Sequence, residues 1–201
     1  MKRIALLLLL ALPFCLTVGM QAQINPMVEY TTAQNLSDVR PFTLGYEFTT
    51  SVPFQLNALG AWDDGMANNH QVGIWTVGGQ LLVSTTVLGT DPLTGHFRYD
   101  PINFMLAPGD YVIGAEFLGN FDPFPSQAQG VTSLPGYTYV QDRQIEGPGL
   151  NFPTDTFGIY GANGILMADM SVASVPEPSS LLLLGTGLIG AVGAFRRKIN
   201  L

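Results

Sequence analysis

From Phe42 onward, apolar side chains return at every second residue, a period that fits a strand buried on one face and no helix. Phe42, Leu44, Tyr46 and Phe48 alternate with Thr43, Gly45, Glu47 and Thr49. After Ser51-Val52-Pro53 the alternation resumes through Phe54, Leu56, Ala58, Gly60 and Trp62. Residues 71–77 read as a further strand, with Val72 and Ile74 on one face and Trp75 on the other. Gly78-Gly79 is a two-residue hairpin signal that leads into a strand over 80–88. The spacing predicts short strands at 96–99 and 102–106, broken by Pro101, then a turn at Ala107-Pro108-Gly109-Asp110. Residues 111–118 read as the strongest strand, and 120–136, with three prolines, as a longer loop. Late strands are expected over 137–145 and 165–172.

Eight to ten short strands, frequent turns and no amphipathic helix predict an all-β domain, an antiparallel β-sandwich of jelly-roll type. Stacked sheets bury an adequate core at this size. They must do so without a disulfide, because the one cysteine, Cys15, lies in an apolar run near the start of the chain. No internal repeat suggests a propeller or a β-helix.

The charge is unevenly placed. Of eight Lys and Arg, Lys2 and Arg3 open the chain and Arg196, Arg197 and Lys198 stand near its end. Residues 23–174 hold fourteen acids against three bases, Arg40, Arg98 and Arg143, for a net charge of −11. A surface of that sign repels phosphate backbones, so nucleic acid is excluded as a partner.

Both ends read as addresses. Met1-Lys2-Arg3 is a basic n-region, 4–12 an unbroken apolar run, and Ala22 a small residue before Gln23. This is the layout of a secretory signal peptide over 1–22, handled by the Sec translocon and signal peptidase. Lipidation at Cys15 would need small residues before it, where Pro13 and Phe14 stand. The domain then occupies 23–174, and 175–201 forms a tail. There Val175-Pro176-Glu177-Pro178-Ser179-Ser180 is a stiff, non-helical spacer. Fifteen uncharged residues, 181–195, follow. As a helix this run measures about 22 Å, or about 27 Å counted from 178, against a hydrocarbon core of about 30 Å. A transmembrane helix is expected over 179–195, stopped by Arg196, Arg197 and Lys198, whose long stems snorkel to the interface. The basic cluster stays cytoplasmic and the domain lies outside the inner membrane.

The ordered set Val175-Pro176-Glu177-Pro178, serine, short apolar run and Arg196-Arg197-Lys198 resembles the PEP-CTERM sorting domain of Gram-negative bacteria. The resemblance implies recognition by an exosortase, a membrane cysteine protease-transpeptidase that cuts near the Pro-Glu-Pro. It also implies an inner-membrane intermediate that moves on to the cell surface or matrix, in association with exopolysaccharide. A second stretch, 58–114, is similar to uncharacterised secreted β-sandwich domains found with such tails. It includes His70-Gln71-Val72-Gly73-Ile74-Trp75 and Ala107-Pro108-Gly109-Asp110-Tyr111, and it implies the fold and no activity.

Chemistry is sparse between the two addresses. The histidines are His70 and His96, and no Gly-x-Ser-x-Gly or His-Glu-x-x-His occurs, so a non-enzymatic protein is expected. Asp63, Asp64 and Asn68 share a turn-rich segment whose carboxylates and amides suit a hard cation such as Ca²⁺. Asp, Gly and Asn are equally the ordinary formers of a turn, and both readings stand. Trp62 and Trp75 are candidates for stacking on a sugar ring, with core packing as the other reading. A carbohydrate- or calcium-dependent binding module is therefore the alternative to a surface or matrix protein without a ligand site.

Overall fold

The computed structural model describes residues 23–173 apart from 64, 66–67, 121 and 157–163, together with Gly185. The expected signal peptide, the Val175-Pro176-Glu177-Pro178 motif, most of the 179–195 span and the Arg196-Arg197-Lys198 cluster lie outside the described residues. Among the described residues no helix is long and apolar enough to cross a membrane.

The domain is built of antiparallel strands. In chain order they are β1 (Val28–Glu29), β2 (Thr32–Ser37), β3 (Phe42–Thr50), β4 (Phe54–Trp62) and β5 (His70–Thr76). Next come β6 (Leu81–Val87), β7 (Leu93–Thr94), β8 (Phe97–Leu106), β9 (Gly109–Phe117) and β10 (Pro123–Gln129). The last are β11 (Thr132–Ser133), β12 (Tyr137–Glu146), β13 (Asp155–Thr156) and β14 (Ala168–Val172). Six form one sheet in the order β13-β12-β3-β9-β5-β6, and four another in the order β14-β4-β8-β7. Two short ribbons, β1-β11 and β10-β2, complete the pairing.

One core lies between the sheets. The alternation seen in the sequence delivers Phe42, Leu44, Tyr46 and Phe48 of β3 and Ile113, Ala115 and Phe117 of β9 to it. Leu56 and Leu59 of β4 and Phe97 and Tyr99 of β8 meet them from the smaller sheet. Each large apolar side chain taken from water contributes about 1.5–3 kcal/mol. Tyr46 also spans the core, donating its hydroxyl to the Ala168 carbonyl at 3.1 Å.

Two expectations need correction. Pro101 does not break a strand: β8 runs unbroken, with Pro101 opposite Ala58 where the register slips between Leu56 and Ala58. A bulge of that kind is where a residue without an N–H is tolerated inside a sheet. Residues 120–136 are not one loop, since β10 and β11 lie within them. Among the described residues β10 pairs only with β2, and such a ribbon leaves alternate N–H groups unpaired, which suits Pro123 and Pro125.

The outer face of the larger sheet carries a row of glycines. Gly45, Gly114 and Gly73 stand opposite one another across β3, β9 and β5. A Cβ at Gly45 would collide with the Ile113 carbonyl oxygen. The trough left by the missing side chains is filled by the chain over 148–153. Leu150 lies against Gly73, Pro153 against Gly114 and Phe152 against Gly79. Thr43 pins this strap by donating to the Gly149 carbonyl (3.2 Å) and accepting the Asn151 N–H (2.9 Å).

Candidate functional site

The segment between β4 and β5 contains the residues selected as a possible cation site. Asp63 sits one residue beyond β4, and its N–H is held by the His96 carbonyl at 2.9 Å. Its carboxylate is already engaged. Oδ2 lies 2.7 Å from Arg98 Nε, and Oδ1 accepts the Gly65 N–H at 2.9 Å in a tight local turn. Asn68 turns the other way, its Nδ2 3.5 Å from Asp122 Oδ1. Asp64 lies outside the described residues. Among the described residues no three His, Cys, Asp or Glu side chains gather as a metal ion requires.

Around this segment the polar groups serve the fold. His70 opens β5, and its Nδ1 lies 2.8 Å from the Glu116 carbonyl. A carbonyl only accepts, so Nδ1 carries the proton in that bond. Asp122, buried nearby, accepts the Leu118 N–H at 3.1 Å and closes the corner after β9. The space enclosed by Trp62, Asp63, Asn68, His70 and Arg98 is about 10 Å³, room for roughly one water.

Neither tryptophan presents a ring face to solvent. Trp62, at the end of β4, is 6% exposed, and Trp75, on the outer face of the larger sheet, is 4% exposed. The sequence placed Trp75 correctly opposite Val72 and Ile74 but could not show its cover, Phe152 of the strap, whose ring centroid lies 6.1 Å away. As placed, both rings pack within the fold.

Sequence reading missed the buried acid of the smaller sheet. Asp169 of β14 is fully buried. Tyr99 donates its hydroxyl to Asp169 Oδ2 at 2.7 Å, and the Val28 N–H donates to Oδ1 at 3.1 Å. Burial pushes the Asp169 carboxyl up to about 8, against the pull of these hydrogen bonds. Burial likewise raises the Tyr99 phenol far above its usual range, with the neighbouring Asp169 charge adding to it. An aspartate inside Ala-Asp-Met-Ser-Val carries no local sign of this role, because its partners come from 70 and 141 residues away.

Asp169 also marks where the two ends of the domain meet. The Met27 N–H donates to the Met170 carbonyl at 2.7 Å, and the Val172 N–H to the Asn25 carbonyl at 3.0 Å. Gln23 and Ala173 are then held by the same strand. Asn57 Nδ2 donates to the Gln23 carbonyl (3.0 Å), and the Ala173 N–H to the Gln55 carbonyl (2.8 Å). Gln55 and Asn57 are two residues apart on β4, so Gln23 and Ala173, at the two ends of the described domain, are held close together.

Comparison with known proteins bears on the residues beyond Ala173. A family model described as the PEP-CTERM protein-sorting motif matches residues 174–198. No curated protein and no solved structure matches the chain.

Proposed function

We propose that this chain, which carries a PEP-CTERM protein-sorting motif, is an exported protein held briefly at the inner membrane, processed by an exosortase, and passed to the cell surface or extracellular matrix beside exopolysaccharide. The carrying observation is the position of the motif, which starts at the residue after Ala173, the last of the described domain residues and one hydrogen-bonded into the sheet. That order, folded domain then sorting signal, is what a cargo with a removable tail requires. The pairing of the β3–β4 corner with the β8–β9 corner favours the jelly-roll form of sandwich.

The β-domain acts on this reading without catalysis. What supports it is the use of the titratable groups: Asp63 on Arg98, His70 on a backbone carbonyl, Asp169 on Tyr99 and a backbone N–H. Each is held by the fold, and among the described residues none of them stands in a cleft beside a nucleophile. The direct test is mass spectrometry of the C-terminus of protein released from an exosortase-bearing host. The expected terminus lies near Pro176-Glu177-Pro178. Released protein still ending in Arg196-Arg197-Lys198 and the residues after it would refute the processing.

A further inference from the structure

The two ends of the domain are stitched together just before the sorting motif. Two bonds, Met27 N–H to Met170 O and Val172 N–H to Asn25 O, bracket Pro26 and Ser171, which face each other as an isolated antiparallel bridge. At such a position neither residue bonds the other through its own backbone, so a proline costs nothing there. Ser171 Oγ accepts the Asn25 N–H at 2.8 Å, and Asp169 accepts that of Val28. The Ala173 N–H on the Gln55 carbonyl adds a further stitch.

Val175 follows two residues later and Glu177 four. At about 3.5 Å per extended residue they stand at most about 7 and 14 Å from Ala173. Proteins that take up a peptide as an extended strand engage several residues of it along a cleft. A cleft that engages several residues around the motif must therefore come close to the packed sheet while Val172 and Ala173 remain bonded.

We infer that the pairing of 25–28 with β14 is a clasp that governs processing: Val172 and Ala173 must leave Asn25 and Gln55 before the sorting protease can engage the motif, so the clasp sets the rate of cutting. This rests on the reading of 174–198 as a processing signal. It adds a regulator that the motif does not contain. The strand that restrains the C-terminal end is the segment that the expected cleavage after Ala22 would leave as the new N-terminus. Trimming at one end and cutting at the other therefore meet in one hydrogen-bonded unit.

The test locks the clasp in the full chain with Pro26→Cys and Ser171→Cys. Facing residues of this bridge type stand about 4.5 Å apart at Cα, within disulfide reach. Cys15 lies upstream of the expected cleavage site, so the mature chain has no competing thiol. Processing is followed by immunoblot and mass spectrometry in an exporting host that carries the exosortase. The oxidised double variant is expected to be cut at least about fivefold more slowly than either single variant, and a reductant restores the rate. A flexible spacer of about six residues after Ala173 restores it without reductant, and speeds cutting when inserted in the unmodified chain. Equal cutting of locked and unlocked chains overturns the clasp, as does a spacer that changes nothing. A wild-type chain that is never cut overturns the processing reading, and the clasp falls with it.

Discussion

Tyr99 of β8 and Asp169 of β14 share a 2.7 Å hydrogen bond across β4, which separates their strands, with both side chains shut off from water. Their sheet is thus joined at its centre by a polar contact as well as by its backbone ladders. The acid in that contact is protonated over a range where a free aspartate is not.

That proton gives stability a direction with pH. The Asp169 carboxyl titrates near 8 in the folded chain and near 4 when unfolded. The folded state therefore binds the extra proton, and the stabilisation is whole below about pH 4 and lost as pH rises to about 8. Each unit of difference corresponds to about 1.4 kcal/mol. Asp169→Asn mimics the neutral acid and removes the titration. Thermal melts should show wild type losing stability relative to Asp169→Asn across pH 4–8, by several kcal/mol in total. A constant difference would contradict the assignment. Asp38, which its hydrogen bonds from Arg40 hold down to about 2, titrates below that window.

The glycine row separates two substitutions of the same type. Gly45→Ala drives a methyl group into the β9 backbone at Ile113 and Gly114. It should cost more than about 4 kcal/mol and leave little folded protein. Gly78→Ala, with its nearest neighbour 3.7 Å away at Thr76, should change the denaturation midpoint by less than about 0.5 kcal/mol equivalent. Circular dichroism during urea titration measures both.

Arg98 is expected to matter more than Asp63 would as a cation ligand. The pair is largely buried, with side-chain exposures of 23% and 6%. Arg98→Ala strands a charge, at a cost of about 3 kcal/mol. Millimolar Ca²⁺ should leave the wild-type melting temperature unchanged, because Arg98 and the Gly65 N–H already occupy the Asp63 carboxylate. A calcium-dependent rise of several degrees would restore the cation reading.

Intrinsic fluorescence reports on the strap. Trp62 and Trp75 are the two tryptophans, both buried. Phe152→Ala uncovers Trp75, so emission should shift to longer wavelength and acrylamide quenching should increase. Polysaccharide added to the wild-type chain should leave both signals unchanged. A shift on adding it would place a sugar near one of these rings.

The central strands were legible because each is buried on one face, and a period of two records that directly. β3, β4, β5, β6 and β9 follow the expected segments closely. β2 was invisible, since Thr-Ala-Gln-Asn-Leu-Ser forms half of a ribbon whose residues are mostly exposed, and no apolar face is left to read. The cation and sugar candidates were chosen by residue type. Type alone does not reveal that Arg98, 35 positions on, neutralises Asp63, or that an irregular strap covers Trp75. The clasp had no local signature either, because each half is an unremarkable few residues until the other is beside it.

The bonds from Asn25 to Ser171 and from Val28 to Asp169 close loops of 146 and 141 residues. A chain threaded outward from its N-terminus delivers those partners at opposite ends of the transfer. Until β14 emerges, β4 lacks its neighbour on that side, and 25–28 has no strand to join. Contacts of such separation form late, after the cost of closing the loop has been met. On the proposed export route, N-terminus first, folding would finish only once β14 has emerged, and the domain would stay threadable for as long as it is being threaded.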